Sequence, residues 1–360
     1  MTVYSATGSE QFNRFLDAKL HALGDEVQQA MGESFLALIL AGGYGRGEGA
    51  CVMRQGKESP YNDFDLFLVL KEALPLPEEV TLITKAYEEQ LGIEVDIGKP
   101  LSVAAIRKLP HQLMWQDLLE AHRVITGDPR ILLDNAPFQL KAPLPKVEAL
   151  RLLLNRGSGL LQAIIQSHSL GVDAQHSLPD EDFIRRNREK CTLALGDSLL
   201  ITHQRYAPPL HERTLALQKL GKEISWEGKK EILDLYARAA AFKTDPDSFS
   251  REQPSLTGLK GVARLWVGVL LHCERERTGK EWATASSYAH DHFIREKEQH
   301  TPKALLRNLV KNLKVGTPSL RYPREKLYAE LALLLEDPRP ESGGWRERAD
   351  QFLKVWSQYN

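Results

Sequence analysis

The chain has 360 residues, room for two or three domains of about 100 to 200 residues each and for a sizeable buried core. Its 42% hydrophobic and 26% charged content is that of an ordinary folded, water-soluble protein and excludes a fibrous or wholly disordered chain. Forty-seven Lys and Arg against 48 Asp and Glu leave a net charge of −1, so overall charge gives no argument for nucleic-acid or membrane-surface binding, although a local basic face is compatible with it.

The first segment places Phe12, Phe15, Leu16, Leu20 and Leu23 at three- and four-residue spacing, which predicts a packed helix ending near Gly24 or slightly later. Next, 35–41 is a continuous apolar run of strand length, stopped by the glycine loop Gly42-Gly43-Tyr44-Gly45-Arg46-Gly47-Glu48-Gly49. Residues 54–61 are polar with Gly56 and Pro60, and 62–70 reads as a second strand. Pro75 and Pro77 open a helical pattern through Val80, Ile83, Tyr87 and Leu91, closed by Gly92 before a short third strand at 93–97. From about residue 111 strand signals give way to amphipathic stretches at 111–126, 146–170, 181–206, 210–242, 258–278 and, with a break, 324–357. The Pro-punctuated stretch 134–145 is the best boundary. The reading is therefore an N-terminal α/β (α+β) domain with a mixed sheet over 1–140, followed by a larger all-α domain over 146–360.

Cys51, Cys191 and Cys273 are odd in number for a disulfide framework and lack a paired metal-ligand spacing, which points to a reducing compartment. No leader pattern is visible at the start and no apolar run reaches the roughly 18 residues of a membrane span, so a cytoplasmic location without a membrane partner is expected.

Strand side chains alternate faces, so Asp63 and Asp65 project from one side while Phe64, Leu66 and Leu68 tend to the other. Two carboxylates one pleat apart repel each other unless a cation intervenes, and hard oxygen ligands suit Mg²⁺ held together with substrate phosphates. Asp96, between Val95 and Ile97, offers a third carboxylate for a two-ion site, with Glu94 on the same face in reserve. Alternating charges on a solvated edge strand would look the same. The glycine loop sharpens the case, because consecutive glycines let backbone N–H groups approach an anion, and Arg46 could add a charge-assisted contact. Gly45, Gly47 and Ala50 also fit the dinucleotide pattern G-x-G-x-x-A, but 51–60 holds no crossover helix to return a parallel strand.

Taken together, Gly42-Gly43 after a strand, Asp63-Phe64-Asp65-Leu66 on the next and Asp96 on another resemble the DNA-polymerase-beta-like nucleotidyltransferase superfamily over roughly residues 35–98. The resemblance implies a nucleoside triphosphate such as ATP bound through Mg²⁺, with transfer of its nucleotidyl group, AMP in the case of ATP, to an acceptor hydroxyl and loss of pyrophosphate. It also implies that Gly42 and Gly43 cradle phosphates, that Asp63 and Asp65 hold two metal ions, and that Asp96 ligates one and helps deprotonate the acceptor. The spacer 44–62 is longer than in compact members, and Gly43 stands where many carry Ser.

In the helical part Arg186, Lys190 and Asp197 fall on roughly one helix face, and relatives often bring a cation from the following domain to the triphosphate, which makes Lys190 the candidate and Arg186 the second choice. Glu189 and Asp197 could equally balance a solvated face. Arg295 and His300 match an R-x4-H spacing at the level expected by chance, and His290-Asp291-His292 lacks a further ligand at metal spacing, so neither receives a role. The basic residues Arg295, Lys297, Lys303, Arg307, Lys311 and Lys314 suit phosphates or plain solvation. The acceptor, whether small molecule, protein or RNA, has no signature. Alternatives to catalysis on a free acceptor are a silent nucleotide-binding regulator and the nucleotidyltransferase half of a toxin-antitoxin-like pair acting on a protein partner.

Overall fold

The computed structural model describes residues 2–72, 74–172, 178–250, 252, 254–291, 301–314, 316 and 318–359. These fall into two compact units: 1–145 with 206–215 and 240–251, and 146–205 with 216–239 and 252–360. The first is an α/β unit with a mixed sheet, and the second carries helices and no strand among its described residues.

In the first unit, α1 (Glu10–Met31) starts at Ser9, whose side chain accepts from Phe12 N, and buries Phe12, Leu16, Leu20, Leu23 and Val27 along one stripe. It runs past the expected stop at Gly24. A Cβ there would lie 2.2 Å from Thr126 Oγ1, so this glycine is a point of close helix–sheet approach, and the stop falls instead at Gly32, with φ +53°.

The strands β1 (Phe35–Leu40), β4 (Phe64–Leu70), β5 (Val95–Ile97) and β7 (Arg123–Gly127) form a sheet in the order β5-β4-β1-β7, and β6 (Leu101–Ser102) also pairs with β4. Strand β1 is antiparallel to β4, with Leu38 opposite Leu68 and Leu40 opposite Leu66, and antiparallel to β7. Strand β4 is parallel to β5 and β6. Between β1 and β4 come the single turn α2 (Gly42–Gly45) and a hairpin, β2 (Cys51–Arg54) and β3 (Lys57–Pro60). Gln55 and Gly56, at φ +50° and +76°, supply the two positive values of a two-residue turn that matches strand twist. The stretch expected as helix over 111–126 is instead α5 (Leu113–Glu120) followed by β7, where β-branched Val124, Ile125 and Thr126 favour the strand.

The sheet is covered on both faces. Phe64, Leu66, Leu68, Val95 and Ile97 pack in one cluster with α1 residues and with Val80, Tyr87 and Leu91 of α3 (Glu78–Leu91). Ala37, Ile39 and Val69 pack on the other side with Ile106 of α4 (Val103–Ile106) and with Leu118 and Leu119 of α5. The later segments return to this unit through specific bonds. Tyr206 Oη donates to the Asp117 carboxylate (3.0 and 3.1 Å), Leu210 N donates to Glu48 Oε1 (2.6 Å), and Met53 N donates to Asp247 Oδ2 (2.7 Å).

In the second unit, α6 (Val147–Val172), α7 (Leu178–Thr202), α10 (Leu256–Thr278) and α13 (Pro323–Glu336) pack on one another. The fully buried Trp266 donates Nε1–H to Leu153 O at 2.8 Å. The stretch expected over 210–242 is two helices, α8 (Leu210–Glu223) and α9 (Lys229–Thr244), parted by Gly228 at φ +67°. Three more follow: α11 (Ala285–Ala289), α12 (Pro302–Lys314) and α14 (Gly343–Trp356).

Buried acids in this unit are matched. Glu274 accepts from Arg277 Nη2 (2.7 Å) and from Tyr288 Oη (2.8 Å), Glu325 pairs with Arg321 (3.3 Å), and Asp197 accepts from Tyr236 Oη (2.6 Å). His203 Nε2 and His272 Nε2 lie 3.0 Å apart, and Arg275 Nη2 lies 3.2 Å from His272 Nδ1. A guanidinium only donates, so His272 Nδ1 is bare and its Nε2–H donates to His203. Burial, with His203 and Arg275 nearby, holds His272 down at about 4, well below an ordinary imidazole. Among the described residues, no helix is long and apolar enough to cross a membrane. The three cysteines are free and buried.

Candidate functional site

Strand β1 runs out at Leu40, and Ala41 N donates to Asp65 O (2.8 Å), which fixes the start of the glycine loop beside β4. Gly42 then adopts φ +62°, and a Cβ on it would lie 2.1 Å from Asp65 Oδ2. Only glycine leaves this space, so the loop and the Asp65 carboxylate meet because residue 42 has no side chain. The glycines themselves form the single turn α2, too short to sum a macrodipole. What the loop offers an anion is the first amides of that turn, at Gly42, Gly43 and Tyr44, which have no intrahelical partner.

Tyr44 holds the loop from beneath. Its buried ring meets the edge of Phe64 at 4.9 Å, and its hydroxyl donates to Ala50 O (2.6 Å) while accepting from Tyr61 N (3.0 Å). Burial pushes this phenol far above its ordinary pKa, so it stays a neutral strut. A Cβ at Gly49 would lie 2.1 Å from the Tyr44 ring, another place where the loop requires glycine. Arg46, expected near phosphate, donates Nε to Glu48 Oε2 (3.1 Å), and both side chains are largely buried. Glu48 thus joins Arg46 to Leu210 N. Tyr44 and Glu48 lay inside the motif in the sequence, but nothing there marked them as the loop's supports.

The carboxylates gather where β4 and β5 run side by side. Parallel pairing sets Asp65 directly opposite Asp96, flanked by the pairs Phe64–Val95 and Leu66–Ile97 that enter the core beneath. Asp65 and Asp96 therefore share the opposite face. Asp63 immediately precedes β4, Glu94 immediately precedes β5, and Phe64 N donates to Glu94 O (2.9 Å), so Asp63 and the reserve acid Glu94 are neighbours one step along the same ladder. Asp63, Glu94 and Asp96 are exposed and Asp65 is half-buried. Among the described residues, no group of three His, Cys, Asp or Glu side chains is drawn tightly enough to hold a metal ion. The donors nevertheless suit Mg²⁺ in kind, being all carboxylate oxygens, and they stand at adjoining strand starts where the Gly42 backbone closes on Asp65.

The remaining sequence candidates belong to the second unit. Lys190 is an exposed residue of α7 in the second unit, where Arg186 pairs with Asp182 (3.0 Å). Glu189 pairs with Arg188 and Asp197 accepts from Tyr236, so the acids of this helix are buried and matched. His290 Nδ1 is engaged by Ser286 O (2.8 Å) and Asp291 by Trp282 Nε1 (2.6 Å) and Lys280 (2.5 Å), while His292, Arg295, Lys297 and His300 lie outside the described residues.

No family model matches the chain and no curated protein matches it. Among solved structures, the crystal structure of spectinomycin adenyltransferase AAD(9) from Enterococcus faecialis with ATP and spectinomycin superposes with a TM-score of 0.39 at 11% identity, covering 73% of this chain and 99% of that one.

Proposed function

We propose that this chain is a nucleotidyltransferase, moving the nucleotidyl group of a nucleoside triphosphate, ATP in the first instance, to an acceptor hydroxyl. The observation that carries the reading is the parallel register that sets Asp65 opposite Asp96, with Asp63 beside them and the Gly42 backbone against Asp65 Oδ2. Asp63, Asp65 and Asp96 would hold Mg²⁺, which when bound neutralises phosphate charge and lowers the pKa of a coordinated hydroxyl. The chain's own part is positioning. The amides of Gly42 and Gly43 hydrogen-bond phosphate oxygens, and Tyr44, braced on Phe64, keeps those amides in place. Asp96 accepts the proton of the acceptor hydroxyl as its oxygen bonds to the α-phosphorus. The bond from that phosphorus to the β-phosphate oxygen breaks and pyrophosphate leaves.

The test is pyrophosphate release from each triphosphate with Mg²⁺, with and without a crude lysate as a source of acceptor. Asp63→Ala with Asp65→Ala is expected to cut release by about a thousandfold or more. Release that persists in this double variant sinks the assignment. Nucleotide binding without any release would instead identify a silent regulator.

A further inference from the structure

Helix α12 of the second unit is built inside out. Its buried residues are Ala304, Asn308 and Asn312, the two asparagines being 0% and 1% exposed. They hold the helix by reading backbone: Asn312 Nδ2 donates to Ser319 O (2.7 Å) and Arg321 O (2.8 Å), and Asn308 Nδ2 donates to Leu320 O (3.4 Å). Tyr359 Oη adds a bond to Lys311 O (2.8 Å). The apolar residues go the other way. Leu306, Val310 and Leu313 are 64%, 49% and 55% exposed, with Leu309 half-buried between them, and their spacing draws one continuous stripe along about 10 Å of helix. Lys303, Arg307, Lys311 and Lys314 form a second stripe beside it, and the sequence carries no Asp or Glu from residue 301 to 324.

An outward aliphatic stripe needs an apolar counterpart, and an adjoining cationic stripe needs an anionic one. A second copy of the chain fits poorly on charge, because paired α12 helices would bring eight cations together and neither helix carries an acid of its own. Nucleic acid would match the cations and leave the leucines unmatched. A protein groove usually takes aromatic or Arg anchors, and this stripe offers only Leu and Val. We propose that α12 is a peripheral docking element for an anionic lipid surface, lying in the headgroup region with Leu306, Val310 and Leu313 turned into the acyl boundary and its lysines on the phosphates. The expectation of no membrane partner rested on net charge and on the lack of a span, and neither bears on a helix that lies in the surface.

The full-length protein would be sedimented with vesicles of phosphatidylcholine alone and of equal parts phosphatidylcholine and phosphatidylglycerol. Binding to the mixed vesicles, weakened by salt, is expected. Lys303→Gln, Lys311→Gln and Lys314→Gln together should weaken it by about a hundredfold, at about fivefold per cation. Leu306→Ser, Val310→Ser and Leu313→Ser together should weaken it by at least about tenfold. All six positions are exposed, and an unchanged melting temperature would certify that the fold is intact. The proposal is overturned if the two vesicle types bind alike or not at all, if the serine variant binds as well as the parent, or if single-stranded RNA or polyglutamate binds this helix more tightly than the mixed vesicles.

Discussion

The helical unit and the strands β4 and β5 place negative charge differently. In the helical unit a buried carboxylate is matched before it is buried: Glu274, wholly inaccessible, takes bonds from Arg277 and Tyr288, and Asp197 and Glu325 are served likewise. In the α/β unit four acids, Asp63, Glu94, Asp65 and Asp96, line neighbouring steps of one ladder, like facing like. Directly opposed like charges destabilise a sheet by a few tenths to about 1 kcal/mol.

Neutralising acids in the two units should therefore have opposite signs. The largest effect is expected at Glu274→Ala, which strands Arg277 and the Tyr288 hydroxyl in the core and should lower stability by about 3 kcal/mol in urea unfolding. A wild-type-like midpoint would mean that the matching is incidental.

Next comes acid. His272 is held at about 4 in the folded chain and returns to about 6.5 on unfolding, so the unfolded state binds more protons between those values. Stability from this group is complete above pH 6.5 and is lost as pH falls towards 4. At pH 5 the loss is about 2 kcal/mol, and unfolding of His272→Gln should lack that part of the pH slope.

Smaller again is Gly42→Ala. The methyl group meets Asp65 Oδ2 and the residue sits at φ +62°, so a loss of about 1 kcal/mol is expected, together with loss of pyrophosphate release. At Gly43 an added Cβ finds its nearest neighbour at 3.6 Å, and Gly43→Ser should fall within about 0.5 kcal/mol of the parent. The smallest effect has the reverse sign. Asp96→Asn should raise ligand-free stability by about 0.5 kcal/mol, because it relieves the Asp65–Asp96 opposition, and should remove any gain in melting temperature from Mg²⁺ with ATP. An Asp96→Asn chain less stable than the parent would contradict the idea that these acids stand in mutual strain.

Much of the α/β unit was legible. Period-two alternation named the faces of β4 and β5, and the run 35–41 ending in glycines named β1. Strand β7 was not legible, because five residues directly after an amphipathic helix blend into its pattern. The acids could be named from sequence, but their juxtaposition depends on β5 adding in parallel beside β4, a pairing that no local signal encodes. Glu48 and Tyr44 act through partners far along the chain or behind the loop, Leu210 N and Phe64, so residue spacing says nothing of them. Over α12 the sequence reading named basic residues and no helix, and the asparagine contacts that turn its apolar residues outward involve backbone seven to twelve residues away.

The bonds from Glu48 to Leu210 N and from Met53 N to Asp247 bear on how the protein is made. A ribosome releases the whole β-sheet long before it releases residues 206–215 and 240–251, which complete the same unit. The nascent sheet must wait, with the Glu48 carboxylate and the hairpin amide hydrated, until some hundred further residues have emerged. A fragment cut at 145 would remain in that waiting state, soluble at best and prone to strand-edge association, whereas one extended through 251 would carry every segment the unit contains.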